Sequence, residues 1–593
     1  MSNPDAVVAT GPARGVRGWF ESRTGLAETL ESRRIRPIGF GARIRYILGA
    51  ALVGGLIVEV VTGLLLMTGY SPSASTAWAS TYYIDQVLTA GWLIRGLHNF
   101  AAHSMIGVAL LYVGFVLISG AYRAPRELNW WTALGILGVL IGFTLTGNAL
   151  PWDQDGYWAW NVETGIAGGA PVLGPSIRKL ILGGPDLGNA TLGRLFALHA
   201  GLLPLAGAGL LIAHRALSRR HSLAGVRDPE RTAGDGFAFF AAIVVAIFLG
   251  IAAYLVVLNQ GVSLEAPADP SSQYPARPAW FFLWLFELRK FFPGPQELIA
   301  TMVIPGALTT VLLLLPFLDR ILPRGFAHFL ACALWFAVLG GAGYLTALSV
   351  RIDQADEHFN QETAAADEAR RRAFLLAEDG FPPEGAPALL SRDPLYRGSR
   401  LFAQKCQGCH AYNQVRTAEG PLAAPEMKGF GTKEWVRDLL ENPDTPAFFR
   451  DLKKCDPKLA GMANWKKGAG KDLKPEELDQ LAAFVGSMAD IPPDTPPSVW
   501  ENSEAVQNDP GYALFADQCA SCHLWGEADE SNFGPSLYAW GSRGWFRRML
   551  LKPGSPDLYG LVEPTCQMPA FEGQLTEADV EVLYRFVKGD YRR

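Results

Sequence analysis

Apolar residues in the first 350 positions fall into seven runs of about 20 residues or more, the length that an α-helix needs to cross a bilayer. The runs occupy residues 43–68, 92–119, 130–150, 195–216, 236–258, 298–318 and 325–348. Basic residues precede the first run and recur in every second connection, at Arg34 and Arg36, Arg123 and Arg126, Arg227 and Arg231, and Arg320 and Arg324. Because Lys and Arg concentrate on the cytoplasmic side of a membrane, the pattern predicts seven transmembrane helices and places the rest of the chain outside.

The remaining sequence separates by its polarity and its repeats. A charged, Ala-rich helix and a linker, "GFPPEGAPALL", follow the last apolar run. Beyond them the chain repeats itself, since "YRGSRLFAQKCQGCH" matches "PGYALFADQCASCH". The predicted parts are a cytoplasmic amphipathic segment (1–40), four spans (41–222), three spans (236–349), the helical and Pro/Gly linker (350–393) and two repeats (394–492 and 505–593).

Composition supports a membrane protein with soluble parts. Hydrophobic residues make up 49% of the chain and charged residues 18%. The net charge of −5 argues against a nucleic acid as partner. Four of the seven cysteines lie in two CxxCH pentapeptides, so the chain is not a disulfide scaffold. Cys455 and Cys566 show no ligand spacing, and we expect Cys566 to be a packed small hydrophobe.

Each CxxCH pentapeptide predicts a covalently bound haem c. Two thiols one helical turn apart add to the haem vinyl groups, and the following His takes one axial position on the iron. The two sets are Cys406, Cys409 and His410, and Cys519, Cys522 and His523. A zinc site is the alternative, but its other ligands would have to come from elsewhere in the same domain. Two covalent haems on the outer side are therefore the favoured interpretation.

The sixth iron ligand is expected from the second half of each repeat. "CQMPAF" indicates Met568 in the second repeat. In the first, Met462 in "GMANWKKG" precedes the last helix at the equivalent place, and Met427 is the alternative. Met427 aligns with Tyr538 of the other repeat, which favours Met462.

Histidines within the apolar runs predict a second kind of haem site. His199 and His214 lie on one span, roughly 22 Å apart along a helix and about 60° apart around it. One helix can thus supply a ligand to each of two haems stacked across the bilayer. His98 on the second span lies at the depth of His199 and is its expected partner. The alternative is a membrane histidine that merely bonds a backbone carbonyl, but ionisable groups at this depth usually mark a function.

The apolar part resembles cytochrome b of the quinol–cytochrome c oxidoreductases, most closely the split form of the photosynthetic bf complexes. The matching segments are "GWLIRGLH", "PRELNW", "TGNALPWDQDGYWAW", "PVLGPSIRKLILGG" and "TLGRLFALH", and the resemblance covers about residues 17–348. It implies a helical bundle that holds haem b, with a quinol oxidation site outside and a quinone reduction site inside. It also implies that Arg95 and Arg194 lie near the haem, where guanidinium groups can pair with propionates. Both repeats resemble class I cytochrome c domains.

The resemblance fails at the inner haem. The family has its second ligand on the second span fourteen residues after His98, where this chain has Tyr112. His103 does not replace it, because five residues turn a helix onto another face. The inner haem is therefore five-coordinate, bound by Tyr112, or absent. The extra haem of the bf family is not expected, since its cysteine position is Ile47.

The resemblance also fails at the quinol site. The family has Pro-Glu-Trp-Tyr before the sixth span, and this chain has alanine, Ala279, in place of the glutamate that takes a quinol proton. Glu287, two helical turns further on, is a substitute base or a helix-end residue that pairs with Arg289 or Lys290. Asp153, Asp155 and Tyr157 are further polar candidates at this edge, the last two as catalytic residues.

These features predict an all-α protein, a seven-helix transmembrane cytochrome b bundle followed by two small cytochrome c domains. The expected function is the quinol-oxidising cytochrome b/c subunit of a Rieske/cytochrome b complex, coupled to proton translocation, with two haems c and one or two haems b. The alternatives are a non-bifurcating electron-transfer variant and a membrane tether for two c haems. The expected partners are a Rieske iron–sulfur protein, the quinone pool, a c-type cytochrome or other external acceptor, and membrane lipid. The resemblance implies a homodimer, and the expected location is the bacterial cytoplasmic membrane with the c domains on the periplasmic side.

Overall fold

The computed structural model describes residues 40–221, 236–272, 274–415, 424–523, 525, 534–558 and 562–592. The predicted amphipathic segment over residues 1–40 lies outside these residues except for its last position. The described parts are helical, and no β-strand occurs among them. This confirms the predicted all-α class. Contacts divide the chain into two compact units, Met1–Pro387 and Ala388–Arg593.

Helices of the first unit follow the apolar runs. They are α1 (Phe40–Met67), α2 (Ala77–Gln86), α3 (Gly91–Ile118), α4 (Glu127–Asn148), α5 (Gln154–Gly168), α6 (Gly174–Leu182), α7 (Asn189–Ala197), α8 (Leu203–Arg220), α9 (Gly236–Leu258), α10 (Leu283–Arg289), α11 (Ile304–Ile321), α12 (Arg324–Ala355) and α13 (Glu357–Ala377). A π-helical turn, Leu198–Leu202, joins α7 to α8 in one continuous helix. Such turns insert an extra residue into a helix and often occur at functional sites.

Six helices in the described residues are long and apolar enough to cross a membrane. They correspond to the predicted spans except the fifth, which coincides with α9 and whose described apolar part is Ala242–Leu258. Apolar side chains on these helices are widely exposed, for example Leu111 (65%), Leu205 (73%) and Ile212 (70%). In water such surfaces would be unfavourable, because each buried methylene is worth about 0.8 kcal/mol. The chain is a multi-pass membrane protein.

The helix predicted within the linker packs on the first unit. Asp356 caps α13 by accepting a hydrogen bond from the backbone N–H of Phe359. Phe374 on α13 makes edge contacts with Trp78 and Tyr82 on α2. Aromatic pairs of this kind contribute about 0.5–1.5 kcal/mol beyond their buried area. Residues 357–377 are thus an integral helix of this unit.

Helices of the second unit are shorter. They are α14 (Ala388–Ser391), α15 (Ser399–Lys405), α16 (Lys433–Glu441), α17 (Gly461–Lys467), α18 (Pro475–Ser487), α19 (Pro497–Glu501), α20 (Glu504–Gln507), α21 (Pro510–Gln518), α22 (Arg543–Leu551) and α23 (Glu577–Lys588). Thr432 and Ser542 cap α16 and α22 at equivalent places of the two repeats, each accepting from the N–H three residues on. One continuous hydrophobic core includes residues of both repeats.

Candidate haem sites

The outer histidine pair lies between two neighbouring spans. His98 is on α3 and His199 is in the π-helical turn, and their ring centroids are 6.2 Å apart. Two imidazoles that bind one metal from opposite sides have ring centres roughly 6 Å apart, because each metal–nitrogen bond is about 2 Å and the ring centre lies about 1 Å beyond the nitrogen. The separation therefore fits a haem iron held between them.

Two threonines fix the proton positions of these imidazoles. The Nδ1 atoms of His98 and His199 lie 3.0 and 2.9 Å from the hydroxyl oxygens of Thr62 and Thr146. Each hydroxyl donates its own hydrogen to the carbonyl four residues earlier on its helix, so it accepts from the histidine. With hydrogen on Nδ1, the Nε2 lone pair of each ring remains for a metal.

A carboxylate that the sequence analysis missed also contacts the outer pair. Glu59 on α1 places Oε2 2.9 Å from Nδ1 of His98. Its other oxygen is buried and makes no hydrogen bond to the described residues. An acidic residue inside an apolar run was the available signal, because such residues are costly in a membrane and usually functional.

Two glycines give the imidazoles room. A Cβ atom on Gly63 would lie 3.2 Å from Cε1 of His98, and one on Gly147 would lie 2.9 Å from Cε1 of His199. Both helices thus approach the rings more closely than any other residue type permits. The outer site is built by four helices, α1, α3, α4 and α7–α8.

The inner pair, Tyr112 and His214, is joined by a direct hydrogen bond. Tyr112 Oη lies 2.8 Å from Nε2 of His214, and Nδ1 of His214 lies 2.8 Å from the hydroxyl of Thr132. That hydroxyl donates to the carbonyl of Leu128, so His214 carries its hydrogen on Nδ1 and accepts from Tyr112 at Nε2. The nitrogen that would bind iron is occupied. These residues do not fit a second haem.

The two arginines expected beside the haem propionates bond to protein groups. Arg95 forms an ion pair with Asp85 at 2.6 Å and donates to the carbonyl of Val262. Arg194 donates to the carbonyl of Leu180. Propionate binding by either guanidinium stays a prediction.

Both CxxCH histidines are prepared for iron. Nδ1 of His410 donates to the carbonyl of Pro425 at 2.8 Å, and Nδ1 of His523 donates to that of Pro535 at 2.9 Å. Burial lowers the pKa of both imidazoles, which keeps them neutral. Each ring thus has Nε2 available to bind iron, and the adjacent thiols would attach the haem. The donor sets fit covalent haem.

The expectation that Cys566 packs as an isolated small hydrophobe is wrong. Cys455 and Cys566 form a disulfide bond. They lie shortly before Met462 and Met568 in their repeats. Sequence spacing alone gives no pairing for two such cysteines, although an outer location permits the bond.

The segment that replaces the family's Pro-Glu-Trp-Tyr motif packs against His103, the membrane histidine that belongs to neither histidine pair. Nε1 of Trp280 donates to Nδ1 of His103 at 3.1 Å, and Phe281 lies beside the same ring. Glu287 is 2% exposed, and its Oε2 lies 2.6 Å from Nζ of Lys290. Of the two interpretations of Glu287, this contact matches the helix-end ion pair.

Two acidic residues at the start of α5 have different environments. Asp153 caps the helix, accepting from the backbone N–H groups of Gly156 and Glu265. Asp155 lacks such bonds among the described contacts. Burial, aided by the negative charges of Asp153 and Glu265, raises the pKa of Asp155 to about 7. Burial also raises the pKa of Tyr157. Asp155 is thus poised to gain or lose a proton near neutral pH.

Comparisons with known proteins agree with this architecture. Family models match residues 39–222 (Cytochrome b/b6/petB), 395–489 (Cytochrome c) and 506–587 (Cytochrome C oxidase, cbb3-type, subunit III). Cytochrome b6 of Oltmannsiellopsis viridis is 36% identical over 210 residues, which are 35% of this chain and 96% of that protein. Cytochrome b6 of Porphyra purpurea is 37% identical over 211 residues, again 35% of this chain and 96% of that protein. The chain belongs to the cytochrome b/b6 family.

This cytochrome b/b6 family member also aligns with a solved chain titled Hyperthermophilic respiratory Complex III. The identity is 23% and the TM-score 0.49, over 63% of this chain and 98% of the other. Together the family matches make the protein a membrane electron-transfer cytochrome that uses haem b and haem c. Its extension beyond the curated b6 proteins is the part that contains both CxxCH pentapeptides.

Proposed function

We propose that the protein is a quinol-oxidising membrane cytochrome that holds one b haem, between His98 and His199, and two covalent c haems. The observation that carries the proposal is the contrast between the two histidine sites. The outer pair keeps the ring spacing that iron needs, whereas His214 is hydrogen-bonded to Tyr112. The function favoured is therefore the non-bifurcating variant, in which electrons leave quinol and reach an acceptor on the same side of the membrane.

The bound haems would supply one-electron redox chemistry. The chain supplies the neutral imidazoles, the thiols and the methionines that hold them. Oxidation of one quinol releases two electrons and two protons, so the site also needs a proton acceptor. Ala279 cannot accept one.

Asp155 is the favoured proton acceptor. A base works best when its pKa is near the working pH, and the pKa of Asp155 is about 7. Tyr157, two residues on, is the candidate that orients the quinol hydroxyl. Glu287 remains an alternative base, although its ion pair with Lys290 would have to open first.

The partners follow from the proposed reaction. In this non-bifurcating scheme a Rieske iron–sulfur protein would pass both quinol electrons, one after the other, to the c haems, and a c-type cytochrome or another external acceptor would take them from there. Lipid covers the exposed apolar helices. We also propose a homodimer in the bacterial cytoplasmic membrane, with the CxxCH repeats in the periplasm.

Haem content distinguishes this proposal from the bifurcating complex and from the membrane tether. Pyridine haemochrome spectra of the purified protein should give two c haems for each b haem, together with quinol:cytochrome c reductase activity. Two b haems would instead support the bifurcating mechanism coupled to proton translocation. Covalent haem without any b haem would support a tether. Replacing His199 with Ala should remove the b-type bands and leave the c-type bands.

A further inference from the structure

The helices that begin and end each repeat pack across the two repeats. Phe484 on α18, the last long helix of the first repeat, contacts Tyr512 and Phe515 on α21, which leads into the second CxxCH. A Cβ atom on Gly511 would lie 2.5 Å from the carbonyl oxygen of Gln480. The backbones of α18 and α21 are therefore in direct contact.

The reciprocal pairing joins the first CxxCH helix to the end of the chain. Phe402 on α15 contacts Phe586 of α23 with ring centroids 5.9 Å apart, and Tyr412 stacks on the same ring at 4.4 Å. Arg397 forms an ion pair with Asp579 at 3.1 Å, and the backbone N–H of Gly429 donates to the carbonyl of Val587. Each CxxCH helix thus packs on the last long helix of the other repeat.

The segments that lead into α16 and α22 cross each other at equivalent glycines. Gly431 and Gly541 precede the capping residues of α16 and α22, and both have positive φ, 73° and 71°. A Cβ atom on Gly431 would lie 3.5 Å from Cα of Gly541. Left-handed backbone at this close approach favours glycine at both positions. Aromatic rings of both repeats surround the crossing, since Phe430 contacts Trp540 and Trp545.

Because the repeats pack across each other, one cavity is formed by residues of both. Residues of both repeats line it, including Cys519, Cys522 and His523 from the second and Met462, Trp465 and Val485 from the first. The CxxCH of one repeat and the methionine of the other therefore share a pocket.

We propose that the two c haems exchange their axial methionines between the repeats. Met462 is the sixth ligand of the iron bound by His523, and Met568, by the equivalence of the repeats, is the ligand of the iron bound by His410. The disulfide between Cys455 and Cys566 ties together the segments that precede the two methionines. The exchange differs from the expectation that each methionine serves the haem of its own repeat, and it rests on the covalent haems of the proposed function.

Chains with one covalent haem would test the exchange. Replacing Cys519 and Cys522 with Ala leaves the first c haem, and replacing Cys406 and Cys409 with Ala leaves the second. In the chain that keeps the second haem, Met462→Ala should abolish the methionine-to-iron charge-transfer absorbance and lower the reduction potential, because methionine ligation raises it. Met568→Ala should leave both unchanged.

The chain that keeps the first haem should show the opposite response, so either background is sufficient if the other fails to mature. Met→Gln, which has a similar shape, replaces Met→Ala if the alanine variants do not fold. Loss of the band in Met568→Ala, with retention in Met462→Ala, in the second-haem background would overturn the exchange. Absence of covalent haem from the parent chain would instead contradict the proposed function.

Discussion

Thr132 and Thr146 lie fourteen residues apart on α4, and each accepts the Nδ1 hydrogen of a different histidine on the adjacent helix. The two histidine sites therefore have the same support from α4. They differ in the residue that faces the supported histidine, which is His98 at the outer site and Tyr112 at the inner site.

This relationship predicts that one substitution at Tyr112 allows the inner site to bind a second b haem. Tyr112→His removes the hydroxyl that occupies Nε2 of His214 and supplies a second imidazole at the family spacing. We expect the ratio of b haem to c haem to double, measured by pyridine haemochrome. Tyr112→Phe is the matched control and should leave the ratio unchanged. A second b haem in the unaltered chain would refute the premise.

Glu59 is predicted to tune the outer b haem. A carboxylate that accepts the Nδ1 hydrogen of a ligand histidine makes that ligand more basic and stabilises ferric iron. Glu59→Gln should therefore raise the reduction potential of the b haem in a spectroscopic redox titration. Thr62→Val, which removes the neutral acceptor beside the same nitrogen, is the control and should shift the potential less. An unchanged potential in Glu59→Gln would rule out the tuning role.

Asp155 is predicted to make the stability of the protein depend on pH. Burial raises its pKa from 3.8 to about 7, so the folded chain holds a proton that the unfolded chain has lost between these values. Stability must then fall as pH rises through this window. Asp155→Asn should unfold at the same temperature as the parent at pH 4 and at a higher temperature at pH 8, a gain of about 1–3 kcal/mol for a partly exposed group.

The exposed Asp186 provides the control, since Asp186→Asn should show no such gain. Kinetics test the catalytic role separately. The quinol oxidation rate of the parent should rise with pH up to about pH 7, and Asp155→Asn should lose that dependence. If Asp155→Asn had the same pH–rate profile as the parent, the proton acceptor would be Glu287 and not Asp155.

The crossing glycines are predicted to be intolerant of side chains. Gly431→Ala places a Cβ atom in left-handed backbone, which costs about 1–2 kcal/mol for an L-residue, before any crowding against Gly541. Denaturation followed by the c-haem absorbance should show this loss. Gly544→Ala, at a helical glycine whose nearest neighbour is 4.0 Å away, should be neutral or gain up to about 1 kcal/mol.

The amino-acid sequence predicted the long-range order of this molecule well and its pairings less well. Apolar run length predicted the spans, because that signal is local, and the positions of haem attachment at the CxxCH pentapeptides stay a prediction. The partner of Cys455 and the packing of α18 on α21 depend on whether a helix contacts its own repeat or the other one. Because the two repeats have similar sequences, the local pattern does not distinguish these two arrangements. Glu59 was visible as a charge within an apolar run, but its contact with His98 required the register between α1 and α3.

The packing of α15 on α23 has a consequence for biogenesis. The helix before the first CxxCH is translated long before α23, so its apolar face stays uncovered until synthesis of the chain is nearly complete. Haem attachment during that interval would take place on an open face. A chain that stops before α23 would lack this cover, so the first repeat could not complete its packing.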